Sequence, residues 1–192
     1  RFPLDVVWFD IDYQDRNRPF TIDRKAFPTF EKLIADLKAK GVMSVPIVDL
    51  HVADAPDQSY APYDSGMAGD HFLKMPDGKT YVGPVWPGPS VFPDFTRAAT
   101  RIWWGKQFKM FTDMGVGGIW NDMNEPADFT EKGDTGANQR DSYFDDLGRN
   151  TPHAKNRNVF ALLMCKATYE GLLRLRPNDR PYVITRAAYA GI

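Results

Sequence analysis

The fold is decided by residues 115–126, which read Gly115-Val116-Gly117-Gly118-Ile119-Trp120-Asn121-Asp122-Met123-Asn124-Glu125-Pro126. A short apolar run between glycines is typical of a buried strand, and a proline ends regular strand pairing. Asp122 and Glu125 follow the apolar run directly, so the strand carries carboxylates at its carboxyl end. Reacting groups lie at that end in barrels of alternating strands and helices, which makes this a candidate catalytic strand. The alternative is a strand end whose acids are simply solvated.

The composition is typical of one globular domain that acts on a polar, uncharged partner. Of the 192 residues, 43% are hydrophobic and 14% are aromatic, which is enough apolar surface for one sizeable core. The 24 basic and 25 acidic residues are well mixed and give a net charge of -1, so no basic field attracts nucleic acid or an anionic membrane. No apolar run reaches membrane-spanning length. We expect a soluble protein, with the cytoplasm slightly favoured as its compartment.

Three further segments are apolar, and each delivers a charged residue where it ends. They are residues 4–11 with Asp10, residues 42–49 with Asp49, and residues 181–185 followed by Arg186. Their β-branched and aromatic residues predict strands, although Pro46 removes one hydrogen-bond donor from the second of them. The four predicted strands therefore present charged groups at one end.

Helical patterns and two long insertions separate these strands. The first helix has one apolar face, formed by Phe30, Leu33, Ile34 and Leu37. A second helix is predicted from a cap at Thr96 to Met114, and a third over residues 155–174. Residues 50–95 form a long loop whose aromatics are expected to make a local core, with Trp86 held at a rim by turn residues. The acids of the second insertion are expected to be solvated, and a metal-binding loop is the lesser alternative because the EF-hand spacing is absent. These acids include Asp134, Asp141, Asp145 and Asp146.

Alternating strands and helices predict parallel strand pairing, either in an open doubly wound sheet or in an eight-stranded barrel. No glycine-rich phosphate fingerprint and no Walker pattern supports the open sheet, whereas charged groups on successive strand ends favour the barrel. We predict an α/β fold, a (β/α)8 TIM barrel of which about half is present, with roughly four strands, intervening helices and two long loop insertions. The chain starts without methionine and stops without a terminal helix, so we expect residues 1–192 to be a partial catalytic domain truncated at both ends.

The mouth of such a barrel would suit a sugar. Its charged groups fit hydroxyls and its flat indoles fit a sugar ring; these residues are Asp10, Asp49, Asp122, Arg186, Trp86 and Trp120. Cleavage of a glycosidic bond uses a pair of carboxyl groups, one as nucleophile or base and one as acid. The spacing leaves open which acids form the pair, and crowded carboxylates raise one another's pKa.

Two other kinds of site are disfavoured by the residue spacing. A hydrolytic metal site would need closely spaced ligands, and His51, His71, His153 and Asp54 lack any such spacing. A nucleophilic serine lacks the Gly-x-Ser-x-Gly elbow, and Cys165 lies within a predicted helix without a partner. We therefore expect no metal and no cofactor.

The segment Gly118-Ile119-Trp120-Asn121-Asp122-Met123-Asn124-Glu125 resembles the signature of glycoside hydrolase family 31, the family of α-glucosidases and α-xylosidases. Three further segments resemble that family in the same order: Phe9-Asp10-Ile11-Asp12-Tyr13-Gln14-Asp15, Val85-Trp86-Pro87-Gly88, and Ile184-Thr185-Arg186-Ala187-Ala188-Tyr189-Ala190-Gly191. The resemblance covers nearly the whole chain. It implies a catalytic (β/α)8 barrel that acts with retention of configuration.

The resemblance also implies residue roles. Asp122 matches the nucleophile, and eight residues match the lining of the sugar subsite: Asp10, Ile11, Ile47, Asp49, Trp86, Trp120, Met123 and Arg186. The family's acid/base aspartate follows the arginine-containing strand, beyond the end of this chain, so the remainder of the parent chain would be needed to close the barrel. Residues 49–54 depart from the Asp-Pro-Gly-like sequence often found there, which leaves the surroundings of His51 open.

The function implied is release of α-linked glucose from the non-reducing end of an oligosaccharide or α-glucoside. An α-xylosidase or an α-glucan lyase could carry the same nucleophile. A third alternative is a barrel that has lost its chemistry and only binds carbohydrate.

Overall fold

The computed structural model describes residues 3–129 and 142–190. Their elements, in chain order, are β1 (Val6–Phe9), α1 (Phe30–Ala39), β2 (Met43–Asp49), β3 (Val52–Ala53), α2 (Ala61–Ala68), β4 (Val82–Val85), β5 (Gly88–Val91), α3 (Ala98–Gln107), α4 (Lys109–Met114), β6 (Ile119–Asp122), β7 (Tyr143–Phe144), β8 (Thr151–Pro152), α5 (His153–Leu175) and β9 (Val183–Thr185). Two short 3-10 helices, Ile11–Tyr13 and Asp15–Asn17, follow β1. No described helix is long and apolar enough to cross a membrane.

The four predicted strands form one parallel sheet in the order β1-β2-β6-β9. Because all four run in one direction, their carboxyl ends lie along one edge, as predicted. Within the described residues the sheet is open, which agrees with the prediction of a partial barrel. Pro46 does not interrupt β2, which runs without a break from Met43 to Asp49. It lies beside Phe9 of β1 in the register.

The two faces of this sheet differ in how they are covered. On one face α1 packs against β2, and α5 packs against β6 and β9; Phe9 of β1 contacts Phe30 of α1, with ring centroids 5.1 Å apart. On the other face Trp8 makes edge contacts with Trp120 at 6.1 Å and with Tyr182 at 6.4 Å. Trp8 and Tyr182 stay exposed there, as the inner face of an incomplete barrel would be.

The first insertion is more regular than the sequence predicted. Residues 50–95 contain the helix α2 and an antiparallel sheet in the order β3-β5-β4. Most of the aromatics of the insertion are buried in the core, as expected, including Tyr60, Phe72, Tyr81 and Phe92. The sequence showed no alternation here because the strands are two to four residues long, which is too short for a period-2 pattern.

The helix predicted from Thr96 to Met114 is two helices that meet at Phe108. Thr96 does not cap it: helix α3 starts after Arg97, and the Thr96 hydroxyl instead donates to Asp94 at 2.5 Å. That hydroxyl also accepts a hydrogen bond from the backbone of Asp146 at 2.9 Å. Thr96 therefore ties the second insertion to the first.

The second insertion is described only in part. The residues Gly133, Asp134, Gly136, Asn138 and Asp141, whose acids were expected to be solvated, lie outside the described residues. Of the remaining acids, Asp145 is exposed, and Asp146 pairs with Lys155 at 2.9 Å. Strands β7 and β8 pair here just before α5, which begins two residues earlier than predicted.

Helices α3 and α5 cross at two glycines that allow close backbone contact. A Cβ placed on Gly171 would lie 2.4 Å from the Cα of Gly105, and the reverse substitution would bring a Cβ within 2.8 Å of Gly171. Beside the crossing, the indole of the fully buried Trp104 donates to the Thr168 hydroxyl at 3.2 Å. The crossing sets how closely α5 can approach α3.

We expect Gly171→Ala to destabilise the protein. Alanine normally favours a helix interior over glycine, but here its Cβ would overlap backbone, which cannot rotate away, so the free energy of unfolding should fall by about 1–3 kcal/mol. Urea denaturation measures this loss. Glu170→Ala, at the neighbouring and less buried position of α5, is the control and should stay within about 0.5 kcal/mol of the unchanged protein. A stabilised Gly171→Ala variant would contradict the close crossing.

Candidate active site

A cavity of about 510 Å³ opens at the carboxyl ends of the parallel strands. It is lined by all nine residues that the sequence singled out: Asp10, Ile11, Ile47, Asp49, Trp86, Trp120, Asp122, Met123 and Arg186. Two further residues, Glu125 and Phe129, complete the lining. The volume lies in the range of small-molecule sites.

The register of the sheet places Asp49 and Asp122 side by side. The two residues are partners in the parallel pairing of β2 with β6, and each is the last residue of its strand. Asp49 is 1% exposed and Asp122 is 7% exposed. The Oδ1 atom of each carboxyl group is buried without a hydrogen-bond partner among the described residues. Buried polar atoms normally have a partner, so two unpaired carboxyl oxygens on neighbouring strands are unusual.

Arg186 supplies the positive charge of the cavity. Its Nη1 lies 3.4 Å from Oδ2 of Asp122. On its other edge, Nε donates to Oε1 of Glu125 at 2.8 Å and Nη2 donates to Oε2 at 3.0 Å. One guanidinium therefore serves two carboxylates, with the bidentate contact going to Glu125.

Burial and crowding change the ionisation of these acids. The pKa of Asp49 is raised to about 7, mainly by burial and further by the neighbouring charges of Asp122 and Asp10, while Arg186 acts in the opposite direction. Burial also raises the pKa of Asp122, but Arg186 opposes this rise, as does a hydrogen bond from the backbone of Met123. Glu125 raises the pKa of Arg186. Asp49 and Asp122 are thus both harder to ionise than a solvated aspartate.

One wall of the cavity is aromatic and comes from the first insertion. Trp86 lies at the turn between β4 and β5, and it is 47% exposed. Its indole Nε1 donates to Sδ of Met123 at 3.0 Å, and its ring meets Phe129 edge-on at 4.9 Å. The backbone N–H of Phe129 donates to the carbonyl of Pro84 in β4 at 2.8 Å. These contacts hold the hairpin against the loop that follows β6.

Buried polar contacts fix the strand ends beneath the cavity. The Tyr13 hydroxyl donates to the carbonyl of Ile47 at 2.7 Å. The fully buried Asn124 accepts a hydrogen bond from the Thr185 hydroxyl at 2.9 Å, which connects the loop after β6 to the strand that carries Arg186. Asp10 accepts from the backbone N–H of Ile11 at 2.7 Å and so caps the 3-10 helix after β1.

The residues considered for the two alternative sites can be located in the described part of the chain. Among the described residues, no group of three or more His, Cys, Asp and Glu side chains is arranged to hold a metal ion. His51 and His71 are separately buried, and burial lowers the pKa of His51 to about 4. The partly buried Cys165 lies 3.9 Å from the amide of Asn124, and burial raises the pKa of its thiol, which disfavours the reactive thiolate.

Sequence reasoning gave Glu125 and Phe129 no place in the site. Glu125 was visible as an acid at the strand end, but its partner is 61 residues away. Phe129 carries no local signal, because only its contacts with the β4–β5 hairpin bring it to the cavity. The one signal in the sequence for a role of Glu125 was its position three residues after Asp122.

The lining of the cavity combines the kinds of group that sites for sugars use. It offers a carboxylate at a strand end, a cation beside it, acids suited to hydroxyls and an indole as a flat apolar surface. An ionised Asp122 beside an electron-deficient carbon would act as nucleophile or charge stabiliser, as one carboxylate does in glycoside cleavage.

Comparisons with known proteins identify the family of this chain. The sequence profile of the glycosyl hydrolases family 31 TIM-barrel domain matches residues 1–192. The chain is 45% identical over 190 residues to "Alpha-glucosidase 2" of Bacillus thermoamyloliquefaciens, an alignment that covers 99% of this chain and 24% of that protein. It is 36% identical over 208 residues to an alpha-glucosidase of Saccharolobus solfataricus, covering 100% of this chain and 29% of that protein.

A solved structure gives the same result. The crystal structure of an ER glucosidase II heterodimeric complex, composed of the catalytic subunit and the binding domain of the regulatory subunit, superposes with a TM-score of 0.87 at 34% identity. The match covers 98% of this chain and 20% of that chain. The chain thus spans about a quarter of the length of the curated relatives it matches. Its sequence, its parallel sheet and the match over every residue establish that the chain belongs to glycoside hydrolase family 31 and forms part of its TIM-barrel domain.

Proposed function

We propose that this chain supplies the nucleophile of a retaining α-glucosidase, and that the nucleophile is Asp122. The observation that carries the proposal is the position of its carboxyl group, at the end of β6, beside the cavity and 3.4 Å from Arg186. The naming of the relatives as alpha-glucosidases supports the substrate class.

In the first step an oxygen of Asp122 forms a bond to the anomeric carbon while the bond from that carbon to the leaving oxygen breaks. The leaving oxygen takes a proton from a carboxylic acid that we place outside these 192 residues, in the part of a parent chain that follows Arg186. In the second step water attacks the glycosyl-enzyme, gives its proton to the same group and releases glucose with its configuration retained. The remainder of the parent chain would close the barrel around the sugar.

The two adjacent aspartates have different protonation states in this proposal. Asp122 faces Arg186 and must be ionised to attack. Asp49, buried and surrounded by other acids, keeps its proton up to about pH 7 and can donate a hydrogen bond to a sugar hydroxyl. The environments of the two carboxyl groups therefore separate their roles, although the groups lie on neighbouring strands.

The remaining lining residues bind and orient the sugar. Asp10 is exposed at the rim and accepts hydroxyl hydrogen bonds, whereas Trp86 and Trp120 offer apolar ring faces. Ile11, Ile47 and Met123 exclude water from the ring. We expect glucose to be taken from the non-reducing end of an oligosaccharide.

Asp122→Asn in the full-length protein should lower turnover of an activated α-glucoside by about a thousandfold or more, because the amide cannot form the covalent intermediate. Steady-state kinetics measure this loss. Asp113→Asn is the control, because Asp113 is an exposed aspartate of α4 that pairs with Lys109; its turnover should be unchanged. Retained turnover in the Asp122→Asn variant would refute the assignment.

The products of the same assay test the substrate class. We expect glucose from α-glucosides. Faster turnover of α-xylosides, or an elimination product in place of glucose, would assign the chain to another activity of the family. Sugar binding without any turnover would indicate a barrel that only binds carbohydrate.

The raised pKa of Asp49 makes stability depend on pH. Between about pH 4, the usual pKa of an aspartate, and about pH 7, the folded protein holds a proton that the unfolded chain has released. The contribution of Asp49 to stability therefore falls as pH rises through this window and is constant above it. Asp49→Asn cannot ionise, so its free energy of unfolding relative to the unchanged protein should rise across the window, by at most about 1.4 kcal/mol per pH unit.

Urea denaturation at a series of pH values measures this difference. Asp36→Asn is the control, because Asp36 is an exposed aspartate of α1 that pairs with Lys32; it should show no such rise. A difference between Asp49→Asn and the unchanged protein that is independent of pH would mean that Asp49 is ionised when folded.

A further inference from the structure

Glu125 lines the cavity, but the proposed reaction gives it no role. It follows Asp122 by three residues, and it accepts both hydrogen bonds of a bidentate pair with Arg186, at 2.8 and 3.0 Å. Asp122 receives one contact from the same guanidinium, at 3.4 Å. Charge-assisted N–H to carboxylate hydrogen bonds are normally about 2.7–2.9 Å long. The guanidinium is thus close to the proposed nucleophile without binding it fully.

Arg186 would pair with Asp122 if nothing held it. Guanidinium groups favour bidentate pairing with a carboxylate. Besides Glu125, Asp122 is the carboxylate that lies within ion-pair distance of Arg186 among the described residues. A full pair would stabilise the ionised carboxylate and occupy the oxygen needed for attack. It would also withdraw the guanidinium from the sugar hydroxyls.

We propose that Glu125 is a positioning residue, which binds Arg186 through two hydrogen bonds and thereby keeps its guanidinium from pairing fully with Asp122. The inference rests on the proposed function, since it matters only if Asp122 is the nucleophile. Glu125 competes with the nucleophile for the arginine. The guanidinium then stays near enough to stabilise the ionised form of Asp122, and the carboxylate oxygen that attacks the sugar stays unoccupied.

Other charged groups surround this pair and enter its pH dependence. Asp49 of β2 and Asp10 after β1 face the guanidinium from inside the cavity. Arg157 of α5 borders a second cavity on the far side of Glu125, together with Tyr189. Glu125 itself raises the pKa of Asp122, and Arg186 lowers it. Removing Glu125 should therefore lower the pKa of Asp122 in two ways, by loss of a negative charge and by closer approach of the arginine.

Glu125→Ala in the full-length enzyme should move the acidic limb of the kcat/KM profile to lower pH and reduce its plateau by about 10- to 100-fold. Glu125→Gln keeps the size of the side chain and one acceptor, so it should give a smaller change in the same direction. If the alanine variant does not fold, the glutamine variant carries the test. An acidic limb that stays in place or moves to higher pH in a folded variant would overturn the inference.

A double-variant cycle separates positioning from the effect of charge alone. In an Arg186→Met background, Glu125→Ala should lower the plateau by less than about threefold further, because there is no guanidinium to hold. An equal loss in both backgrounds would overturn the inference. Glu31→Ala is the matched control: it removes a bidentate pair with Arg24, at 2.8 and 2.5 Å, on the exposed face of α1, and it should leave the profile unchanged.

A crystal structure of the Glu125→Gln variant gives a result that does not depend on turnover. We expect the distance from Nη1 of Arg186 to Asp122 to become shorter than the 3.4 Å found here. An unchanged distance would overturn the inference. If instead Asp122→Asn retains turnover, the proposed function fails whatever this distance is, so the two failures are distinguishable.

Discussion

The parallel pairing of β2 with β6 is the constraint on which the site depends. It makes Asp49 and Asp122 the last paired residues of the two strands, and both strands leave the sheet at the same edge. A shift of one residue would turn one of these carboxyl groups to the opposite face of the sheet. The pairing is secured by covering one face with α1 and α5, and the glycine crossing of α5 with α3 lets that layer pack closely.

Concentrating acids at one edge creates an electrostatic problem that the site resolves in three ways. Asp49 is buried and keeps its proton to about pH 7, Asp10 remains exposed to water, and Glu125 pairs with Arg186. Asp122 has one contact with the same guanidinium, at 3.4 Å. The four carboxyl groups around one guanidinium therefore lie in different electrostatic environments.

The apolar half of the cavity has a different structural origin from the charged half. The parallel sheet delivers charged side chains, whereas the antiparallel β4–β5 hairpin delivers Trp86. The halves are joined where Met123 and Phe129, both from the loop after β6, contact the Trp86 ring. The loop after β6 and the aromatic wall therefore hold each other in place, so that a change in the hairpin reaches the carboxyl edge of the sheet through two side chains.

The sequence by itself determined the four strands, their parallel direction and the charged residue at each strand end, because apolar runs and their termini are properties of neighbouring residues. It did not determine the content of residues 50–95, whose strands are too short for a periodic pattern, or the break at Phe108. Only the tertiary structure decided that Glu125 binds Arg186, that Phe129 reaches the cavity and that Asp49 is buried deeply enough to hold a proton. The partners concerned lie tens of residues apart along the chain, and burial is set by all the elements that pack around a group, so no local pattern encodes either.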